Sequence, residues 1–291
     1  MDKILLWQAL VLGAIQGVSE LFPISSLAQL VLVPALLGWH DVNVHGDDYL
    51  AFSVALHLAT AAALGIYFWS DWRKVLAALV GSVGRGKLIY DRESKFAWLL
   101  VVGTIVVGAV GLLAKKRVEL LVDIAHVKWV AGLLILNGGI MILGDLMKRR
   151  SIARAQSGAV LKQAEDMSLP AGTLIGASQS LAYLPGISRS GVTIIGGLLA
   201  GLSYEEASRY SFMLAAPVIL LAGVAEIPKF LEIRAPLELE KTLLAALVAG
   251  AMAYLSVKFL MRYFRHNQLW PFGCFCIVFG GYALLVFTGH I

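Results

Sequence analysis

The chain has 291 residues, 59% of them hydrophobic and only 15% charged, and its mean hydropathy is +0.79. Soluble domains carry roughly 25% charged residues, so this composition excludes a soluble globular enzyme or a disordered chain and points to an integral membrane protein. The net charge of +5 comes without interleaved basic and aromatic residues, which argues for membrane orientation and against nucleic-acid binding.

In chain order, an apolar stretch over 4–19 is interrupted around Glu20 and Pro23 and resumes over 24–39. Each half falls short of the ~20 residues that cross a bilayer. Such a pair predicts a re-entrant hairpin, two half-helices joined by irregular backbone that must be buried in protein or face a wet cavity. Spans follow near 50–70, 96–114 and 127–146. Between the first two, residues 71–95 hold Gly84, Gly86 and mixed charges, which predicts a cytoplasmic loop or surface helix. A polar connector over 147–168 leads to a second interrupted pair, 169–184 and 190–204, and then to spans near 208–228, 241–261 and 269–289. Cys274 and Cys276 lie inside that last run and are expected to be small buried apolar groups. His57, in the middle of the first span, could stand in as a base but is expected rather to serve packing or gating.

The two interrupted pairs resemble each other. Gln16 and Gln179, like Ser25 and Ser188, are offset by 163, and the pairs Phe52-Ser53 and Tyr210-Ser211 by 158. The expected fold is therefore an all-α integral membrane protein built as an inverted repeat, each half with one re-entrant helical hairpin and three transmembrane helices. One membrane domain over 1–291 divides into a first repeat at 1–146, a cytoplasmic connector at 147–168 and a second repeat at 169–291. Sorting Lys and Arg by this topology places fifteen on one face and eight on the other. The positive-inside rule makes the richer face cytoplasmic and both termini external.

Arg189 is the only charged residue between Ser168 and Tyr204. A guanidinium at bilayer depth costs about 2.5–3.5 kcal/mol, so it calls for a partner or an anionic ligand. Ser188, Ser190, Gly191 and Thr193 surround it, while Ser25, Ser26 and Gln29 follow Pro23 in the first pair. Half-helix N-termini with free N–H groups bind phosphate or carboxylate, and the planar arginine fork suits phosphate oxygens. Glu20 supplies the opposite sign, as ion-pair partner, cation ligand or proton acceptor.

These motifs, Gln16-x-x-x-Glu20 with Phe22-Pro23-Ile24-Ser25-Ser26, and Pro185-Gly186-Ile187-Ser188-Arg189-Ser190-Gly191-Val192-Thr193, resemble the two signatures of the bacterial undecaprenyl-diphosphate phosphatases, the bacitracin-resistance family. The resemblance implies a multi-pass enzyme of the bacterial cytoplasmic membrane that hydrolyses the C55 lipid diphosphate to its monophosphate, recycling the carrier for peptidoglycan synthesis, with bacitracin antagonised indirectly through the substrate. It implies Ser26 as nucleophile, Glu20 as essential carboxylate and metal ligand, and Arg189 as diphosphate anchor. Gln16, Ser25, Gln29, Ser188, Ser190, Gly191 and Thr193 would contact substrate. A divalent cation, Mg2+ or Ca2+, is implied as cofactor; the expected partners are the polyprenyl diphosphate, membrane lipids and a second copy of the chain. The chain departs from the pattern at Ser25-Ser26-Leu27-Ala28-Gln29, where the family carries a histidine at the last position. An amide does not shuttle protons. The alternative is a non-hydrolytic transporter of polyprenyl phosphate or a related anionic lipid.

Overall fold

The computed structural model describes residues 4–39, 42, 47–123, 127–154, 162–231 and 236–291. Within them the fold is all-helical, with eleven α-helices and one isolated β-bridge between Lys162 and Leu202. Six helices carry stretches long and apolar enough to cross a membrane: Tyr49–Tyr67 in α3 (Asp47–Tyr67), Arg92–Leu113 in α5 (Arg92–Asp123), Val127–Arg150 in α6 (Val127–Arg154), Tyr204–Val224 in α9 (Tyr204–Leu231), Leu239–Tyr263 in α10 (Pro236–Tyr263) and Trp270–Thr288 in α11 (Trp270–Thr288). The chain is a multi-pass membrane protein. Lys3 and Arg234, both used in the charge count, and residues 155–161 of the connector lie outside the described residues.

The interrupted stretches form the pairs α1 (Leu6–Ser19) with α2 (Ser26–Leu36), and α7 (Leu169–Ser178) with α8 (Arg189–Leu199). With 14 residues, α1 reaches about 21 Å at a rise of ~1.5 Å per residue, short of a ~30 Å hydrocarbon core. In the second pair, α7 stops at Ser178 and a 3₁₀ segment covers Gln179–Tyr183. Two side chains turn back onto its final carbonyls there: Ser178 Oγ donates to Ile175 O at 2.7 Å and Gln179 Nε2 to Gly176 O at 3.4 Å. Pro185 then keeps Leu184 extended, at φ −81° and ψ 114°.

The 71–95 stretch is mostly helix. α4 (Trp69–Gly84) packs on α5 through Val75, Ala78 and Ser82 and exposes Trp69, Leu76, Val80 and Val83. The end of the connector is held in place from several sides. Lys162 N donates to Gly201 O at 3.3 Å and Ala164 N to Glu206 Oε2 at 3.0 Å. Arg209 of α9 reaches Glu165 at 2.9 Å and Asp71 of α4 at 2.6 Å. Arg92 pairs with Asp166, and this contact holds the Asp166 carboxyl below the usual carboxylate range.

α3 and α9 pack on each other at the centre, α1 lies on α10, α7 on α5, and α6 on α11. The α1–α10 approach requires Gly17, where an added Cβ would stand 2.2 Å from the carbonyl oxygen of Ala249.

Candidate active site

The breaks in the two short-helix pairs meet. Asn137 of α6 donates from Nδ2 to Pro23 O at 3.2 Å and accepts at Oδ1 from Ser188 N at 2.9 Å. One buried amide thereby satisfies a backbone acceptor in the first break and a backbone donor in the second. Gly186, at φ +122°, turns the second break tightly against α6, where a Cβ would lie 2.5 Å from that of Leu133. Both following helices are capped by serine. Ser25 Oγ accepts from Ala28 N at 3.4 Å, and Ser188 Oγ from Gly191 N at 3.2 Å. Ser25 sits at φ 61° and ψ 96°, a conformation that costs a non-glycine residue about 1–3 kcal/mol and clusters at functional sites.

At this junction Glu20 is the hub. Its Oε1 lies 2.5 Å from Arg189 Nη2, and its Oε2 accepts from Ser26 Oγ at 2.6 Å and from Gln16 Nε2 at 3.0 Å. Arg189 Nη1 is held by Ala215 O of α9 at 3.1 Å. With 6% of the Glu20 side chain and 15% of the Arg189 side chain exposed, the pair is nearly enclosed, and each charge satisfies the other's need for a partner. Ser26 is only partly buried, so an incoming group can reach its hydroxyl. The 2.6 Å bond points that hydroxyl's proton at a carboxylate, the arrangement of a nucleophile beside its base.

Of the other residues singled out from sequence, Ser190 Oγ pairs with Ser188 Oγ at 3.0 Å, and Thr193 Oγ1 with Ser211 Oγ of α9 at 2.5 Å. Gln29 is buried and donates to Ile24 O at 3.1 Å. Its bond braces the first break and does not reach Glu20. Cys276 is buried against Asn137, as expected, whereas Cys274, also expected to be buried, is only partly so, being on the less enclosed side of α11.

His57 is the site residue that the sequence did not assign. From α3 its Nε2 comes within 3.3 Å of Glu20 Oε2, while Nδ1 stands 2.7 Å from Ser53 O, one turn back. His57 shares one face of α3 with Ser53 and Thr60, at i−4 and i+3, but this stripe does not name the partner it faces. The one usable signal was an imidazole in an otherwise uncharged span.

The implied divalent cation fits these residues poorly. A carboxylate offers roughly two acceptor positions on each oxygen; Glu20 Oε2 already has Ser26, Gln16 and His57, and Oε1 has Arg189, so only one position on Oε1 is left. No group of three or more His, Cys, Asp or Glu able to hold a metal occurs among the described residues. The unsatisfied ligand atom nearby is Gln16 Oε1, buried without a partner, a single neutral oxygen where hard divalent ions are usually held by carboxylates and water.

Known proteins match this chain along almost its whole length. It is 44% identical over 298 residues to an undecaprenyl-diphosphatase of Mycolicibacterium paratuberculosis, an alignment that covers 96% of each chain. It is also 41% identical to the protein of the same name from Acidiphilium cryptum, over 96% of each chain, and 41% identical to undecaprenyl-diphosphatase 1 of Burkholderia pseudomallei, over 98% of each. Residues 9–282 match the family model described as bacitracin resistance protein BacA. With the paired breaks, the Glu20–Arg189 junction and these full-length matches together, the chain belongs to the BacA family of bacitracin resistance proteins.

Proposed function

We propose that this protein hydrolyses undecaprenyl diphosphate to undecaprenyl phosphate and inorganic phosphate in the bacterial cytoplasmic membrane, returning the lipid carrier to cell-wall synthesis. The observation that carries the proposal is the 2.6 Å bond from Ser26 Oγ to Glu20 beside Arg189. Ser26 attacks the terminal phosphorus as Glu20 takes its proton; the lipid monophosphate leaves, and water then releases phosphate from the serine. Arg189 and the N-termini of α2 and α8 offset the charge that develops on the phosphoryl oxygens. Ser188, Ser190, Gly191 and Thr193 line the second helix start, Ser25 and Gln29 shape the first, and Gln16 orients Glu20. No step is assigned to a protein-held cation; a divalent ion enters this scheme only as a companion of the diphosphate.

The same proposal treats the two pairs as re-entrant hairpins of an inverted repeat. In its favour, packing partners exchange between the halves: α1 lies on α10 as α7 lies on α5, α3 contacts α10 as α9 contacts α5, and α6–α11 and α3–α9 each join counterparts. External termini follow from the charge count.

The test is phosphate release from undecaprenyl diphosphate by purified protein. Turnover by the wild type and none by Ser26→Ala is the expected result. Equal turnover by both would remove Ser26 as nucleophile. Absence of turnover, with undecaprenyl phosphate still bound in an Arg189-dependent way, would favour a lipid carrier.

A further inference from the structure

Glu20 Oε2 accepts three bonds, and one comes from an element remote from both breaks. His57 approaches from α3 at 3.3 Å. Its Nδ1 lies 2.7 Å from Ser53 O, an obligate acceptor, so Nδ1 carries the hydrogen on that side and the ring plane is fixed by its own helix. Nε2 in turn faces the carboxylate oxygen that also receives the Ser26 hydroxyl at 2.6 Å; because that oxygen only accepts, Nε2 must carry a hydrogen as well, and the ring bridges Ser53 O and Glu20 as an imidazolium. A ring fixed at one nitrogen and bonded through the other limits rotation of the group it touches. His57 is 22% exposed at its side chain, more than the Glu20 it touches at 6%. Gln29, where the family pattern has its histidine, is turned onto Ile24 O.

We propose that His57 is a positioning residue of this site: as an imidazolium in contact with Oε2 it holds Glu20 in register with Ser26, and it occupies the place beside that oxygen that a divalent cation would take. The inference rests on the hydrolase reading for its kinetic part and stands apart from it for its metal part.

Two experiments on the full-length protein test it. In the first, His57→Gln, whose amide still donates, keeps kcat within about tenfold of wild type. His57→Leu, of similar bulk and without a donor, loses about 100-fold in kcat with KM changed less than about threefold, the scale of a misplaced catalytic group. Wild-type kcat in the leucine variant, or equal losses in both variants, overturns the positioning role. In the second, Mn2+ is titrated into lipid-free protein and bound ion is read by electron paramagnetic resonance. Wild type should show no saturable binding at millimolar Mn2+, while His57→Glu, which sets a second carboxylate beside Glu20, should gain a site that Glu20→Gln removes. Gln16→Glu is the second route to that paired carboxylate if His57→Glu fails to fold. Saturable wild-type binding lost in Glu20→Gln overturns the claim on the cation position. If wild type releases no phosphate, the hydrolase reading fails and the Mn2+ arm still decides this part.

Discussion

In the first break Ser25 caps α2 through Ala28 N, and in the second Ser188 caps α8 through Gly191 N. Both pairs of residues are offset by 163 in the sequence. The same offset relates Ser26 to Arg189, the first residues of the two helices, and an offset of 158 relates His57 of α3 to Ala215 of α9. Equivalent places thus carry unlike groups: hydroxyl and imidazole on one side, guanidinium and a backbone carbonyl on the other. All four meet around Glu20 and Arg189. On the proposed repeat, a frame used twice supplies two helix N-termini aimed at one junction, and on the proposed function the side chains at matched positions divide the labour into proton transfer and charge compensation.

The division is broken most severely by removing either specialist. Ser26→Ala is expected to lower turnover by roughly 10^4-fold or more, since a nucleophile and its base act as a unit. Arg189→Ala is expected to fall by about 10^3-fold, and Arg189→Lys to regain less than about a tenth of the loss, because an ammonium does not reproduce the fork. Phosphate release measures all three. Exchanging the charges, Glu20→Arg with Arg189→Glu, separates folding from chemistry. Each single change leaves a buried charge exposed to its own kind and costs about 3–5 kcal/mol; the double variant should recover much of the thermal stability in detergent and none of the activity. Activity in the exchanged protein would mean that the two sides are equivalent after all.

The motifs and the breaks at Pro23 and Pro185 were legible in the sequence, because proline and uncharged length act locally. His57 was not. Its role depends on which element meets the polar stripe of Ser53, His57 and Thr60 on α3, and nothing in that stripe points to a carboxylate 37 positions earlier in the chain. α4 was expected only as a loop or surface helix, since its glycines and charges blur the pattern. The anchoring of Glu165 and Asp166 depends on Arg209 and Arg92, distant partners that no local signal announces.

Smaller effects sharpen the comparison. Asn137→Ala leaves Ser188 N without its partner and Pro23 O with only the weak Cys276 Sγ donor at 3.8 Å, and is expected to cost about 1–3 kcal/mol for the orphaned group, seen as a lower melting temperature together with reduced turnover. The same substitution placed in the two caps should then differ in sign. Ser25→Gly relieves a positive φ and should raise stability by about 1 kcal/mol, whereas Ser188→Gly, at φ −86°, gains nothing from glycine and should lose a few tenths of a kcal/mol. Equal shifts at both caps would show that the strain at Ser25 is not borne by its backbone.

The pairing of Glu20 with Arg189 joins residues 169 positions apart, and this distance has a meaning in time. Synthesis at roughly 5–20 residues per second leaves the first break without its cation for about 10–30 s while the rest of the chain is made. During that interval the carboxylate has Ser26, Gln16 and His57 as its available donors, all encoded before residue 60. The first half therefore carries its own temporary solvation for a buried charge. The second has no such provision, because Arg189 emerges into a membrane where its counter-ion is already waiting.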